Sequence, residues 1–392
     1  MNNQRTNVVV VGGGYAGVIA ANHLRCNPDV AVTLINPRAE FVERIRLHQL
    51  VTGSDDAVVD YAEILGADVR LLVGTAERID AAARTVTVAG DTVGYDYLIY
   101  AVGSTGAALN VPGAAEFAYP ISEFEHGARL RDAISGIRAG EPVTVVGAGP
   151  TGIEMAAELA EEGHAVTLVC GGVLGPYLHA KGRKSVGKVM RKLGVTVVEG
   201  PAAKVTEVRT DSVLLADGRE LRSAVTIWTA GFGVPDLAAR SGLATDALGR
   251  LLTDETLTSV DNPYIVAAGD ASAPSDLPLR MSCQAAIPLG AQAANTVLSR
   301  IAGTEPAVIN QAFTGQCISL GRGAATIQVA HLDDRVMPLY LGGRVAATVK
   351  EAVCKGTVSF LAKEARKPGS YFWLKGGKRA QRVADAKAAA VR

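Results

Sequence analysis

The chain has 392 residues, 48% of them hydrophobic and 20% charged, with 39 Lys and Arg against 39 Asp and Glu. Such a composition builds a large core and excludes a disordered chain, and its zero net charge gives no global attraction for nucleic acid. At about 150 residues per domain the length corresponds to about 2.6 domains, and 43 glycines beside an aromatic content of 5% predict many tight turns.

The opening residues are polar, and the apolar run Val8 to Val11 stops at once in Gly12-Gly13-Gly14. No stretch has the apolar length of a signal-peptide core or a spanning helix, so a cytoplasmic protein is expected. Val8 to Gly17 reads as a strand, a turn with Gly12, Gly14 and Gly17 at G-x-G-x-x-G spacing, and the start of an alanine-rich helix through Leu24. A strand from Ala31 to Asn36 follows, then the segment Phe41 to Gln49 with Arg44, Arg46 and His48. Thr85 to Val93 reads as a hairpin, and Tyr97 to Val102 as an apolar strand closed by Gly103.

The same order then recurs. Val143 to Val146 leads into Gly147, Gly149, Pro150 and Gly152, a helix through Leu159, and a strand from Ala165 to Cys170. The distance from first glycine to strand end is 24 residues in one copy and 23 in the other. A hairpin turning at Asp217-Gly218 and the strand Val225 to Ala230, closed by Gly231, complete the repeat. In such a unit the first glycine permits the tight turn, the second lets backbone approach a pyrophosphate, and the third lets helix and strand pack closely. The anion sits at the helix N-terminus, where free N–H groups and the macrodipole favour it. Two such turns predict two bound dinucleotides.

The five cysteines (Cys26, Cys170, Cys283, Cys317, Cys354) are scattered without a C-x-x-C pair, which excludes a disulfide framework or structural zinc site and fits a reducing compartment. Asn262 to Asp270 is a strand ending in Gly269-Asp270, and Met281-Ser282-Cys283-Gln284-Ala285-Ala286 opens an apolar helix to about Ile301, with Pro288 as a kink or first-turn residue.

With these motifs in place, the sequence resembles the two-dinucleotide flavoprotein reductases, most closely the type II NADH dehydrogenase-like proteins. The resemblance implies an α/β fold of two Rossmann-like domains with β-meanders and a small α+β C-terminal domain. It divides the chain into a discontinuous FAD domain at 1–112 and 236–305, a NAD(P)H domain at 113–235 and a C-terminal domain at 306–392. FAD would be held by Gly12, Gly14, Tyr15, Ala16, Gly17, Asn36, Arg38, Arg44, Ala76, Ala101, Gly103, Gly269, Asp270, Gln284 and Ala285. Asp270 would accept from the ribityl chain, the alternative being a helix cap. NADH or NADPH would lie on Gly147, Gly149, Pro150, Gly152, Cys170 and Gly231.

Three departures from the family pattern matter. The acidic residue expected at the end of the second strand is replaced by Asn36 and Cys170. Asn36 can still accept from and donate to ribose hydroxyls, but a thiol is a poor partner for them. NADH and NADPH therefore stay open, with Lys181, Arg183 and Lys184 as candidate partners of a 2′-phosphate. No cysteine stands in Phe41 to Gln49, which argues against the disulfide-reductase and peroxidase-like mechanisms, and Arg44, Arg46 and His48 instead face either the flavin pyrophosphate, an acceptor or solvent. The paired glutamines of the family's quinone helix are replaced by Pro288 and Leu289, with Gln284 retained.

Glu154, in the first turn of the second glycine helix, is the catalytic candidate by resemblance, with a pKa raised by burial, or else a partner of the helix dipole. Gly315 to Thr326 looks like the start of the type II C-terminal domain. Residues 344–392 carry twelve Lys and Arg against three Asp and Glu, so the +9 of this tail balances −9 elsewhere. Val349, Val353, Thr357, Phe360 and Leu361 would form one apolar helix face with Lys350, Lys355 and Lys363 opposite, matching either a peripheral membrane surface or core packing. The expected reaction is hydride transfer from NAD(P)H to FAD and onward to a quinone-like acceptor. A redox-protein acceptor, as in ferredoxin or rubredoxin reductases, and a redox-sensing flavoprotein without turnover are the alternatives, and homodimerisation stays open.

Overall fold

A computed structural model describes residues 5–138 and 140–390. Two five-stranded parallel sheets carry the fold. The first runs Ile265–Ala267, Tyr97–Tyr100, Thr6–Val11, Val30–Asn36, Arg70–Val73, and the second Ala118–Pro120, Val225–Trp228, Pro142–Val146, Ala165–Val169, Thr196–Val198. Parallel strands are covered on both faces, which is why Val8 to Val11 reads as an unbroken apolar run, Val143 to Val146 as one interrupted only by Thr144, and both are buried throughout.

The registers are equivalent. Val11 lies opposite Ile35, and Val146 opposite Val169, so Gly12 and Asn36 in one unit correspond to Gly147 and Cys170 in the other. The helices Tyr15–Leu24 and Pro150–Glu161 start from the carboxyl ends of the central strands. Each unit adds a three-stranded meander: Ala76–Asp80, Thr85–Val88 and Asp91–Gly94 in one, Val205–Val208, Ser212–Leu215 and Glu220–Arg222 in the other.

The C-terminal part is an antiparallel sheet of Gly315–Ser319, Ala325–Ala330 and Val336–Gly342, followed by the long helix Gly343–Arg366 and the helix Arg379–Ala390. It touches both units: Leu361 and Phe313 join the core around Val18 and Ile19, while Ile318 and Leu320 join the core around Ile153 and Met155. A side chain buried as Leu361 is contributes about 1.5–3 kcal/mol. Below it, the buried Glu364 carboxylate takes His23 Nδ1 at 2.6 Å and the N–H groups of Gly369 and Tyr371 at 2.6 and 2.7 Å, tying the helix end to Tyr15–Leu24.

The long helix departs from its expected faces. Thr357 and Leu361 are buried with Cys354, whereas Val345, Val349, Val353 and Phe360 stand 64, 39, 44 and 49% exposed. Lys350 is drawn inward instead of lying on a solvated face, because a buried carboxylate awaits it.

Candidate active site

The two glycine turns are built alike. Gly12 and Gly147 have φ of +105° and +118°, a region L side chains rarely enter. A Cβ on Gly17 would sit 1.7 Å from the Gly12 carbonyl oxygen, and one on Gly152 1.9 Å from that of Gly147. Helix and strand can approach this closely only without side chains. By contrast, Gly14 and Gly149 have nothing within 4 Å of where a Cβ would stand. Those middle glycines face the space a pyrophosphate needs, at the N-termini of helices of 10 and 12 residues. Pro150 takes the first position of its helix, where its missing N–H costs nothing.

The strand ends differ. Asn36 Oδ1 accepts from Gly13 N at 3.0 Å and its Nδ2 donates to the Arg38 carbonyl at 2.8 Å, so the amide braces the turn and keeps one lone pair and one N–H spare. Tyr61 adds a hydroxyl to the Gly13 carbonyl at 2.7 Å, and Tyr15 lies edge-on to Phe41. Arg38 is drawn to Glu125, at 2.5 and 2.7 Å. Burial first, and then Glu199, pushes the Cys170 thiol up to about 12, leaving it neutral.

Asp270 lies deep between the first sheet and the helix Cys283–Ile301. Its Oδ2 accepts from Ser104 Oγ at 2.7 Å, and Arg44 Nη1 donates to the Ser104 carbonyl at 2.5 Å while Nη2 reaches the Ser122 carbonyl at 2.7 Å. Asp270 Oδ1 is buried without a hydrogen-bond partner within normal distance among the described residues, and burial pushes the carboxyl up despite Ser104, Arg44 and the more distant Ser282 backbone N–H. An unmatched buried oxygen is costly, so this one points to a hydroxyl donor absent from the polypeptide. Gly269, at φ +73°, brings the backbone against Ala16, while Ala101 supplies the carbonyl against Gly12 and, like Ala76, is buried. A Cβ on Gly103 would lie 3.8 Å from Arg44, and one on Gly231 2.8 Å from Ala107.

The helix Cys283–Ile301 is capped by Ser282 Oγ, which accepts from Ala285 N at 3.2 Å, and Pro288 lies inside it. Proline cannot donate to the Gln284 carbonyl one turn back, and Gln311 Nε2 replaces the missing donor at 2.9 Å. Gln284 turns its own side chain to Thr314 Oγ1 at 2.7 Å.

Glu154 is buried where the second glycine helix meets the C-terminal sheet and long helix. Its Oε1 accepts from Ser319 N at 3.0 Å and pairs with Lys350 Nζ at 3.1 Å, and Oε2 stands 3.9 Å from His48 Nδ1. The raised pKa expected of Glu154 is overturned. Burial does push the carboxyl up, but Lys350, His48 and the Ser319 N–H together hold it below the ordinary glutamate value. Lys350 is correspondingly held above the lysine range: burial works against its charge, and Glu154 more than offsets it.

The segment around His48 is also no solvated loop. It forms Arg44–Arg46 and the helix Leu47–Thr52; Arg46 is buried against Glu43, Gln49 and Glu351 and faces no free anion. Burial pulls the His48 imidazole down to about 4, against the attraction of Glu154. One turn beyond Glu154, the buried Glu158 approaches His48 Nε2 at 3.5 Å and accepts from Thr52 Oγ1 at 3.0 Å.

The sequence pattern of the pyridine nucleotide-disulphide oxidoreductase family matches residues 6–294. The chain belongs to that family. An NADH dehydrogenase-like protein of Mycobacterium tuberculosis is 29% identical, over 86% of this chain and 96% of its own. The type II NADH:quinone oxidoreductase Ndh of the same organism is 28% identical, over 78% of this chain and 74% of its own. The sulfide:quinone oxidoreductase of Aquifex aeolicus shares the fold, with a TM-score of 0.79, 21% identity and 93% of each chain covered.

This pyridine nucleotide oxidoreductase uses FAD and NAD(P)H. Its residues fit both groups: two open glycine cradles, and a buried Asp270 oxygen that lacks a donor. Sequence reasoning missed Lys350, Ser319, Ser104, Glu158 and Gln311. The one available signal was Pro288, which requires a substitute donor somewhere; the rest meet their partners across more than a hundred residues.

Proposed function

We propose that this oxidoreductase carries electrons from NAD(P)H through FAD to a quinone-like small molecule, with FAD on the unit of residues 1–112 and 236–305 and the nicotinamide nucleotide on residues 113–235. The observation that carries the assignment is the pairing of two equivalent glycine cradles with a single buried Asp270, which completes only the first. Bound FAD would supply the two-electron chemistry between the nicotinamide and the acceptor. Asp270 Oδ1 would accept from a ribityl hydroxyl, Ser104 and Arg44 hold its carboxylate in place, and the start of Cys283–Ile301 would offer N–H groups to negative charge on the reduced flavin.

Glu154 works as an ionised carboxylate. Its Oε1 is committed to Ser319 and Lys350, so Oε2 is the atom left to take up a proton, and Lys350 holds a positive charge in the same buried space. Quinol formation takes up two electrons and two protons; the hydride of NAD(P)H brings both electrons and one proton, and the second, drawn from solvent, would pass through Glu154 Oε2 while Lys350 stays charged and steadies the carboxylate. The type II relatives, named for that acceptor, support this choice over a protein acceptor.

The exposed stripe Val345, Val349, Val353 and Phe360, together with Phe372 at 83% and Leu374 at 51% exposure further along the chain, supports a peripheral lipid contact for residues 344–392. No helix among the described residues is long and apolar enough to cross a membrane.

Anaerobic mixing of the purified protein with NADH or NADPH, then re-oxidation by a water-soluble quinone, ferredoxin or oxygen, tests the reading. Bleaching followed by fastest recovery with quinone supports it, and fastest recovery with ferredoxin replaces the acceptor by a protein. Flotation with anionic liposomes, lost on truncation after Gly343, tests the lipid contact.

A further inference from the structure

The sequence leaves the choice between NADH and NADPH open because Cys170 stands where a ribose-binding acid is expected. The two sheets, compared strand by strand, show where the acid has gone. In the first unit Asn36 lies opposite Val73 on the third strand. In the second, Val169 lies opposite Val198, so the next pair in register is Cys170 and Glu199. Neighbouring parallel strands are about 4.8 Å apart, and residues paired in register point to the same face. Unit one therefore has a polar and an apolar residue at this place, and unit two has the reverse, with the carboxylate moved over by one strand.

The surrounding backbone ties that carboxylate to the loop packed against the second glycine turn. Cys170 N donates to the Val198 carbonyl at 2.9 Å and Gly200 N to the Gly172 carbonyl at 2.6 Å, which ties the two strand-end loops together. Glu199 Oε1 accepts from Leu174 N at 2.7 Å, and Gly175 N, in the same loop, donates to the Ala148 carbonyl inside the glycine turn at 3.0 Å. Glu199 Oε2 has no hydrogen-bond partner among the described residues, and the side chain is exposed. In open α/β sheets the ligand lies across the carboxyl ends of the strands, with the adenosine ribose at the end of the second strand. A carboxylate there accepts from the ribose 2′-hydroxyl and repels a 2′-phosphate. Of the three candidate cations, Arg183 is turned to the Leu178 carbonyl at 3.3 Å.

We infer that Glu199 binds the adenosine ribose hydroxyls in place of the missing second-strand acid and makes this oxidoreductase selective for NADH. The inference rests on the second unit being the nicotinamide-nucleotide site. It is tested by titration calorimetry of the FAD-loaded full chain with ADP-ribose and with 2′-phospho-ADP-ribose, for the wild type and for Glu199→Gln, which keeps an oxygen for Leu174 N but loses the charge.

The wild type should bind ADP-ribose about tenfold or more tighter, and Glu199→Gln should bring the two probes to within about threefold, mainly by admitting the phosphorylated one. A wild-type protein that binds both equally or prefers the phosphorylated probe overturns the inference. So does an unchanged ratio in Glu199→Gln, including an equal loss of both probes, which makes Glu199 a brace for the loop. Failure of both probes to bind the wild type removes the site assignment itself, and that failure is recognised separately because neither NADH nor NADPH then bleaches the flavin.

Discussion

The two sheet units share the geometry of their glycine turns, with φ of +105° and +118° at the first glycines, yet the residues around those turns differ. Around the first turn, Asn36 and Tyr61 brace Gly13, and Asp270 presents a buried oxygen without a hydrogen-bond partner among the described residues. Around the second, Cys170 stands where Asn36 stands in the first, and Glu199, next to it in register, is open to solvent. Burial suits a cofactor that stays, because its release would strand Asp270; exposure suits a nucleotide that exchanges at every turnover. The repeat thus supplies two equivalent cradles, and we propose that the residues around them separate a resident cofactor from an exchanging one.

The largest effects should come from the third glycines. Gly17→Ala places a methyl 1.7 Å from the Gly12 oxygen, so the purified variant should be colourless and lower-melting, by several kcal/mol of stability. Gly152→Ala creates the matching clash at 1.9 Å, but in the other unit. It should keep its flavin and lose NADH affinity by about 100-fold in fluorescence titration. Loss of flavin from both variants would break the distinction between the units.

Next is the buried pair that joins the second unit to the C-terminal helix. Lys350→Met leaves Glu154 charged and unpaired, which should cost about 3–5 kcal/mol in urea unfolding, and adding Glu154→Gln should restore about half or more of it. Asp270→Asn removes an ionic acceptor from the first unit only; FAD should dissociate about ten- to 100-fold faster, with NADH affinity unchanged in the flavin-loaded fraction.

How much of this was legible beforehand follows from the range of each interaction. Turns, strand periods and the repeat are local, and the helix Cys283–Ile301 starts and ends where the apolar pattern places it. Amphipathicity puts Lys350 opposite the apolar face, but it describes one helix in isolation and cannot register a carboxylate on another unit. The pKa of Glu154 reversed for the same reason: burial was foreseeable, but three distant groups that favour the charge were not. Val349, Val353 and Phe360 share one apolar face with Thr357 and Leu361 in the sequence, and the pattern is too broad to say which part of that face packs and which stays exposed.

A smaller effect follows from His48. Its folded pKa, about 4, is below the ordinary histidine value of about 6.5, so between those values the unfolded chain binds a proton that the native one refuses. Stability from this group is therefore intact above about pH 6.5 and falls by about 1.4 kcal/mol per pH unit toward pH 4. His48→Gln should flatten that part of the unfolding profile. The smallest change expected is from Gln311→Leu, which strands the Gln284 carbonyl beside Pro288 at a cost of about 1–3 kcal/mol and leaves flavin and NADH binding intact.

The division of labour between the units is tested most directly by anaerobic stopped-flow mixing of NADH with the wild type and with Gly152→Ala, each purified with its flavin. The wild type should bleach rapidly, and the variant should stay yellow at the same NADH concentration. Equal bleaching rates in the two proteins, or no bleaching of the wild type, would contradict the account.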